Sequence, residues 1–209
     1  MTIHHRSDSA SDSEQLRAEI AALAARMIAE DGADYGSAKR KAAKQLLGDA
    51  RVRGDILPDN AQVEDEVRIY NEIFFGETQP ARLRQLRQTA ALLMSELQAF
   101  SPHLTGAVLN GTANAQSDIH LQLFADSAKD VEIFLMNKNM QFEVSETPHF
   151  KGRGNEPVET VSFMWHDEGV HLALYQTDDF RGALRAGGGR VERADLKNVR
   201  LLISEGKIE

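Results

Sequence analysis

The N-terminal half of the chain places apolar side chains at the spacing of amphipathic helices. Leu16, Ile20, Leu23 and Met27 fall on one stripe, and Ser13 is a suitable N-cap for that helix. A similar spacing recurs in three later segments, each bounded by glycine or proline. The pattern therefore predicts four helices, over residues 14–30, 37–47, 60–75 and 80–100.

The pattern changes at Pro102, where helical periodicity gives way to short apolar runs rich in Val, Leu, Ile and Phe. Turn residues separate these runs, and residues 166–169, His-Asp-Glu-Gly, have the composition of a hairpin turn. A helix is predicted over residues 128–139, and helical spacing returns over residues 193–204. The apolar runs predict strands over residues 105–110, 118–124, 141–147, 159–166 and 170–176.

The order of these elements predicts the fold class and the domain organisation. Helices come first and a mixed sheet with one crossover helix follows, which is typical of an α+β protein whose helical N-terminal half is packed on the sheet. Residues 1–13 are polar and are predicted to be a disordered leader. The remaining regions are a helical region over 14–100, an α/β core over 101–176, and a glycine-containing loop with a C-terminal helix over 177–209.

The composition excludes several classes of protein. Apolar residues make up 42% of the 209 residues and charged residues 27%, as in folded globular proteins. Cysteine is absent, which excludes disulfide frameworks, thiolate zinc sites and cysteine nucleophiles. The N-terminus lacks the apolar segment of a signal peptide, and no run of about 18 apolar residues could span a bilayer. We therefore expect a cytoplasmic protein with no membrane partner.

The charge distribution limits the partners. The formal net charge is −8, so the protein as a whole repels nucleic acid at long range. Lys39, Arg40, Lys41 and Lys44 form a local basic cluster on the predicted second helix. The simpler interpretation is a solvated helix face, and the alternative is a contact for an RNA or DNA backbone.

One segment of the predicted sheet carries a recognisable motif. Residues 109–112 read Leu-Asn-Gly-Thr and residues 117–120 read Ser-Asp-Ile-His, with a short polar turn between them. This arrangement resembles the nucleotidyltransferase superfamily of the DNA polymerase beta type, in which Gly-Ser or Gly-Thr precedes Ser-Asp-Ile-Asp by a few residues. The resemblance covers roughly the middle third of the chain.

The resemblance implies an activity and a nucleotide site. It implies a protein that transfers a nucleotidyl group from a nucleoside triphosphate to a hydroxyl acceptor with the help of a divalent metal. Gly111 would let the backbone approach a phosphate, and Thr112 would donate to that phosphate from its hydroxyl and its N–H. Ser117 would complete the nucleotide-binding turn.

The metal site implied by the resemblance is altered in this chain. Family members place carboxylates at i and i+2 on one strand, where both point the same way and share Mg²⁺, and a later strand supplies a third. Here only Asp118 is a carboxylate, because His120 takes the second position and His171 the third. Catalytic and metal-binding roles are predicted for these three residues, with Mg²⁺ or Mn²⁺ as the implied metal and Zn²⁺ as an ion that imidazoles suit. The alternative is a catalytically inactive relative that binds a nucleotide, RNA or a protein.

Other polar residues are given structural interpretations. His149 and His166 are predicted to be surface or turn residues. Asp130 and Glu132 lie two residues apart on a predicted helix, so they face different directions and do not form a pair. No nucleophile elbow is recognisable in the sequence, so serine-histidine-aspartate catalysis is not predicted.

Overall fold

A computed structural model describes residues 5–48, 56–151, 154–180 and 192–205. The helices in these ranges are α1 (His5–Asp31), α2 (Tyr35–Leu47), α3 (Asn60–Phe75), α4 (Gln79–Glu96), α5 (Gly106–Asn110), α6 (Ala128–Asn137) and α7 (Leu196–Glu205). The strands are β1 (His103–Thr105), β2 (Ile119–Phe124), β3 (Glu143–Thr147), β4 (Val158–Trp165) and β5 (Glu168–Tyr175). Within the same ranges, no helix is long and apolar enough to cross a membrane.

The chain divides into two compact units. Unit 1 comprises residues 1–80 and 114–116, and unit 2 comprises residues 81–113 and 117–209. Unit 1 therefore contains α1, α2 and α3, and unit 2 contains the sheet together with nearly all of α4 and the later helices. The predicted helical region over 14–100 is thus divided near residue 80. The physical reason is that α4 buries its apolar face in the core of the sheet unit.

Unit 1 is held together by small buried side chains and by well-capped helices. Ala24, Ala38 and Ala42 are fully buried, which lets α1 and α2 approach closely. Asp59 caps α3 in a reciprocal capping box with Gln62, in which each side chain binds the backbone N–H of the other residue. The boundaries of α3 match the predicted ones because capping, apolar spacing and the following glycine all agree.

Within the described residues, the sheet of unit 2 has five strands in the order β1-β2-β5-β4-β3. β2 and β5 run parallel, whereas the other neighbouring strands are antiparallel. The prediction of an α+β protein, with helices first and a mixed sheet afterwards, is confirmed. The predicted C-terminal helix is also present as α7.

One face of the sheet carries the core of unit 2. Helices α4, α6 and α7 pack their apolar side chains against this face. Alternate residues of a strand point to opposite faces, so the residues between the core positions project from the other side. His120 and His171 are such residues. The core positions of the three central strands that are at most 1% exposed are Ile119, Leu121, Leu123, Val161, Val170 and Leu172.

The predicted strand over residues 105–110 is wrong. β1 ends at Thr105, and the next five residues form the short helix α5. Gly106 has φ +69°, which takes the chain out of the extended conformation, and Gly111, with φ +88°, ends α5 in the left-handed conformation. The short apolar run inside this segment fits a helix as well as a strand, so its periodicity could not distinguish the two.

Two further predictions need correction. α1 begins at His5, so most of the predicted leader is helical, because extending an existing helix is far easier than nucleating one. The helical spacing of residues 60–75 predicts that Ile73 and Phe74 lie on the buried face of α3, but they are 66% and 63% exposed, whereas Asn71 is buried. Residues 1–4 of the leader and the glycine-rich part of the C-terminal loop, residues 181–191, lie outside the described residues.

Candidate functional site

A row of polar side chains crosses the sheet on the face opposite the core. The parallel ladder between β2 and β5 pairs His120 with His171. The antiparallel ladder between β5 and β4 pairs His171 with Ser162. Directly paired residues on neighbouring strands project to the same face, so these three side chains stand side by side. We call Asp118, His120, His171 and Ser162 the polar row.

Asp118 joins the row from the position just before β2. It lies two residues before His120, so its side chain projects to the same face. Gly169 of β5 leaves room for its carboxylate, because a Cβ at that glycine would lie only 2.3 Å from Asp118 Oδ1. The side chains of Asp118 and His171 are 46% and 33% exposed, so solvent reaches this part of the row.

Both ring nitrogens of His171 take part in hydrogen bonds. Nε2 lies 3.0 Å from Asp118 Oδ2, and Nδ1 lies 2.8 Å from Ser162 Oγ. The imidazole is therefore held between a carboxylate from the residue just before β2 and a hydroxyl from β4. This double attachment fixes the plane of the ring relative to the sheet.

His120 stacks on His171. The two ring centroids are 4.8 Å apart and the ring planes differ by 18°. Although His120 keeps part of its surface exposed, the surrounding protein removes water from the ring and lowers its pKa. The neighbouring imidazole lowers the pKa further, and the carboxylate of Asp118 opposes both effects.

An ion pair on the core side fixes the start of β5. The two guanidinium nitrogens Nη1 and Nη2 of Arg82 donate to the carboxylate of Glu168 at 2.5 and 2.6 Å, and this hydrogen bonding raises the pKa of Arg82. Glu168 is only 6% exposed and directly precedes Gly169. A bidentate pair at this point restrains the strand that carries Gly169 and His171.

The polar row brings together the three residues to which the sequence assigned metal and catalytic roles, but their present arrangement does not fit a metal ion. A ligating imidazole must offer a free ring nitrogen, whereas both nitrogens of His171 are bonded to protein groups. Among the described residues, no group of three or more His, Asp or Glu side chains is arranged to hold a metal ion. The predicted Mg²⁺, Mn²⁺ or Zn²⁺ would require His171 to exchange its bond with Asp118 for the metal.

The residues predicted to bind the nucleotide form a turn that is bonded to itself. The N–H of Gly111 donates to the carbonyl of Ala107. The N–H and the hydroxyl of Thr112 both donate to Asn110 Oδ1, at 3.0 and 2.7 Å, and Thr112 is 2% exposed. Ser117 is half-buried directly before Asp118. A phosphate at this turn would have to replace Asn110 as the acceptor.

A positive charge that the sequence interpretation missed lies beside the same turn. The guanidinium of Arg87 donates to the carbonyls of Val108 and Leu109 at the end of α5. Burial lowers the pKa of Arg87 from the ordinary arginine value. A Cβ on Gly111 would lie 3.9 Å from Arg87 Nη2. The turn therefore carries a cation next to its glycine.

The basic cluster of α2 is smaller at the surface than its sequence suggests. The ammonium of Lys39 donates to the carbonyl of Pro58 and to Asn60 Oδ1, at 3.2 and 2.8 Å, and so ties α2 to the start of α3. Arg40, Lys41 and Lys44 are exposed. Three cations of this cluster thus remain at the surface as the predicted nucleic-acid contact.

Ser162 and Gly169 were not identified as site residues from the sequence, because the pairing of Ser162 depends on the register of the hairpin between β4 and β5. The hairpin between β4 and β5 turns over only two residues, His166 and Asp167, whose φ values of +49° and +65° are those of a two-residue turn of the I′ type. Such a turn fixes the register, which places Ser162 opposite His171. The longer four-residue turn predicted from composition gave no such pairing.

Comparison with protein-family models, with curated proteins and with solved structures found no match to this chain. The nucleotidyltransferase resemblance therefore rests on the motif around residues 109–120.

Proposed function

We propose that the face of the sheet around Asp118, His120 and His171 binds a nucleoside triphosphate and that the protein is nucleotidyltransferase-like. In this proposal a nucleotidyl group passes to a hydroxyl acceptor. The residues as arranged do not fit a metal ion, so no step is assigned to one. A requirement for Mg²⁺, Mn²⁺ or Zn²⁺ remains a prediction that the titrations below test.

The observation that carries the proposal is the register between β2 and β5. It sets His120 opposite His171, with Asp118 two residues earlier on the same face. The resemblance assigns the metal-binding groups of the family to these same positions, two on one strand and a third on a later strand. Arg87 gives further support, because a triphosphate needs positive charge near its phosphates and this guanidinium lies beside Gly111.

A second candidate function is binding without catalysis. It is favoured by the two hydrogen bonds of His171, which leave neither ring nitrogen free for a metal. Only one carboxylate of the implied trio is present. A catalytically inactive member of the fold would bind a nucleotide on this face, or would bind RNA or a protein partner through surfaces such as the exposed cations of α2.

The first experiment is a binding titration of ATP, GTP, CTP and UTP with Mg²⁺, Mn²⁺ and Zn²⁺ in turn and with a chelator. The wild type is compared with Asp118→Ala and with the control Asp130→Ala, which removes an exposed carboxylate of α6. Cation-dependent binding should weaken in Asp118→Ala and not in the control. Nucleotide binding in the presence of the chelator should instead be stronger in Asp118→Ala than in the wild type, because the carboxylate repels the phosphates. No binding in any condition would refute the proposal.

A gain-of-function variant tests the relation to the family more directly. His120→Asp would place carboxylates at i and i+2 on one strand, which is the arrangement that Mg²⁺ prefers. The control His166→Asp makes the same change at an exposed turn residue. We expect Mg²⁺-dependent nucleotide binding, and transfer to a hydroxyl acceptor, to rise only in His120→Asp. An equal response in the two variants would show that added charge alone is responsible.

A further inference from the structure

The hydrogen bonds of the polar row form a continuous chain from a carboxylate to a hydroxyl. Asp118 Oδ2 lies 3.0 Å from Nε2 of His171, and Nδ1 of the same ring lies 2.8 Å from Ser162 Oγ. The three groups come from the residue just before β2, from β5 and from β4. The β4–β5 ladder pairs Ser162 with His171, and Asp118 directly precedes the first pair of the β2–β5 ladder.

The direction of these hydrogen bonds follows from the chemistry of the end groups. An ionised carboxylate only accepts, so the hydrogen on the Asp118 side must belong to Nε2 of His171. In a neutral imidazole the other nitrogen, Nδ1, then carries a lone pair. The hydroxyl of Ser162 donates its hydrogen to that lone pair. Ser162 is thus hydrogen-bonded to a base that a carboxylate orients.

This arrangement has the roles of a serine-histidine-aspartate triad with the two ring nitrogens exchanged. In the well-known proteases the carboxylate binds Nδ1 and the serine binds Nε2. The exchange leaves the proton transfer unchanged, because either nitrogen can hold the hydrogen while the other acts as the base. Such triads are identified by geometry and roles and not by sequence position.

We propose that Ser162 is a nucleophile activated by His171 and Asp118, and that it reacts with activated carboxylic esters. Ser162 Oγ forms a bond to the carbonyl carbon while its proton moves to Nδ1 of His171. The bond from that carbon to the leaving oxygen breaks, and the proton passes from His171 to the leaving group. Water then hydrolyses the acyl-serine by the same proton transfers in reverse. The reaction needs neither a nucleotide nor a metal and is independent of the nucleotide proposal.

The position of Ser162 within the sheet sets the expected rate. β4 lies between β3 and β5, and Ser162 is paired on both sides, with Glu143 and with His171. The backbone N–H groups of β4 are therefore used in the ladders and do not point at a developing oxyanion, which is often the largest contribution to catalysis. We therefore expect both steps to be slow compared with those of efficient esterases, with acylation by an activated ester faster than release of the acid because its leaving group needs little stabilisation.

The test is the reaction of the full chain with p-nitrophenyl acetate. Release of p-nitrophenolate is followed by absorbance, and the acetylated residue is identified by peptide mass spectrometry. Ser145 is an internal control, because it is an exposed serine of β3 whose Oγ lies near the Thr160 carbonyl and not near an imidazole. We expect one acetyl group on Ser162 before slow turnover, and acetylation of Ser162 at least about tenfold faster than that of Ser145.

Two variants and the urea-unfolded wild type test whether the acetylation of Ser162 depends on the hydrogen-bonded chain. Ser162→Ala should abolish the burst, and His171→Gln should slow it about tenfold or more because the base is removed. The urea-unfolded chain, which keeps every side chain but no strand pairing, should lose the difference between Ser162 and Ser145. Equal acetylation of the two serines in the folded wild type would overturn the proposal, as would a burst that survives in Ser162→Ala. The wild-type comparison requires no variant to fold.

Discussion

Replacing Gly169 by alanine tests whether Asp118 must reach His171 for the polar row to function. The added Cβ would lie 2.3 Å from Asp118 Oδ1, 2.7 Å from Cγ and 3.2 Å from Oδ2. Ordinary contact begins near 3.4 Å, so the carboxylate must move by about 1 Å or rotate into water. Either movement breaks the 3.0 Å hydrogen bond to Nε2 of His171.

The expected change in stability is small, because the broken bond is partly exposed. A hydrogen bond to a charged group contributes about 1.5–3 kcal/mol, but the 46% exposure of the Asp118 side chain reduces this to about 1 kcal/mol. The substitution by alanine offsets about 0.5 kcal/mol of this loss, because glycine in a strand loses more backbone entropy on folding than alanine does. The free energy of unfolding should therefore fall by about 0.5 kcal/mol, whereas acetylation of Ser162 should slow about tenfold.

The assay is a double-mutant cycle with Asp118→Ala, measured by urea unfolding and by p-nitrophenyl acetate. Once the carboxylate is absent, the added methyl group meets no oxygen atom of Asp118, so Gly169→Ala should then raise the free energy of unfolding by about 0.5 kcal/mol and should leave the rate of acetylation almost unchanged. Gly154→Ala is the matched control, because a Cβ at Gly154 would have no neighbour within 4 Å. If Gly169→Ala has the same effect with and without the Asp118 carboxylate, the reasoning is refuted.

Three further predictions concern stability. Burial and the neighbouring Glu132 raise the pKa of Glu159, so its charged form destabilises the fold above that pKa. Urea unfolding at several pH values should therefore show Glu159→Gln to be more stable than wild type at pH 7 and equally stable below about pH 4. Arg82→Met leaves Glu168 buried without its cation and should lower the free energy of unfolding by about 3–5 kcal/mol. A loss of less than about 1 kcal/mol in chemical unfolding would contradict this prediction. Asp59→Ala removes the cap of α3 and should lower the thermal midpoint through a loss of about 0.5–2 kcal/mol, a shift that an Asp59→Ser variant should largely restore.

The sequence determined those elements in which several local signals agree. α3 was predicted with its observed bounds because a preceding proline, helical spacing and a following glycine all indicate the same segment, and the Asp59 cap in the structure agrees with them. The prediction of a strand over residues 105–110 was wrong for the opposite reason. Its short apolar run allows either conformation, and the positive φ of Gly106 decides for a helix. The exposure of Ile73 and Phe74 could not be predicted, because tertiary packing selects which stripe of a helix is buried.

The candidate site was predictable where it depends on strand parity and not where it depends on register. Asp118 and His120 share a face because they are two residues apart, and this follows from the sequence. The pairing of His171 with Ser162 depends on a two-residue turn. The four-residue turn predicted from composition gives a different register, in which these two residues are not paired. The role of Gly169 depends on an interatomic distance, which no pattern of residues encodes.

The metal site implied by the resemblance and the acyl-transfer proposal make opposite demands on one atom, Nε2 of His171. A metal ion held by Asp118, His120 and His171 needs the lone pair of a ring nitrogen, and Nδ1 is already bonded to Ser162. The metal would therefore take Nε2, where the acyl-transfer proposal requires a hydrogen donated to Asp118. An ion bound at this position would remove the orienting carboxylate from the ring and would leave Nδ1 as a proton donor and not an acceptor. Metal binding and nucleophilic activation of Ser162 would thus be mutually exclusive states of the same imidazole.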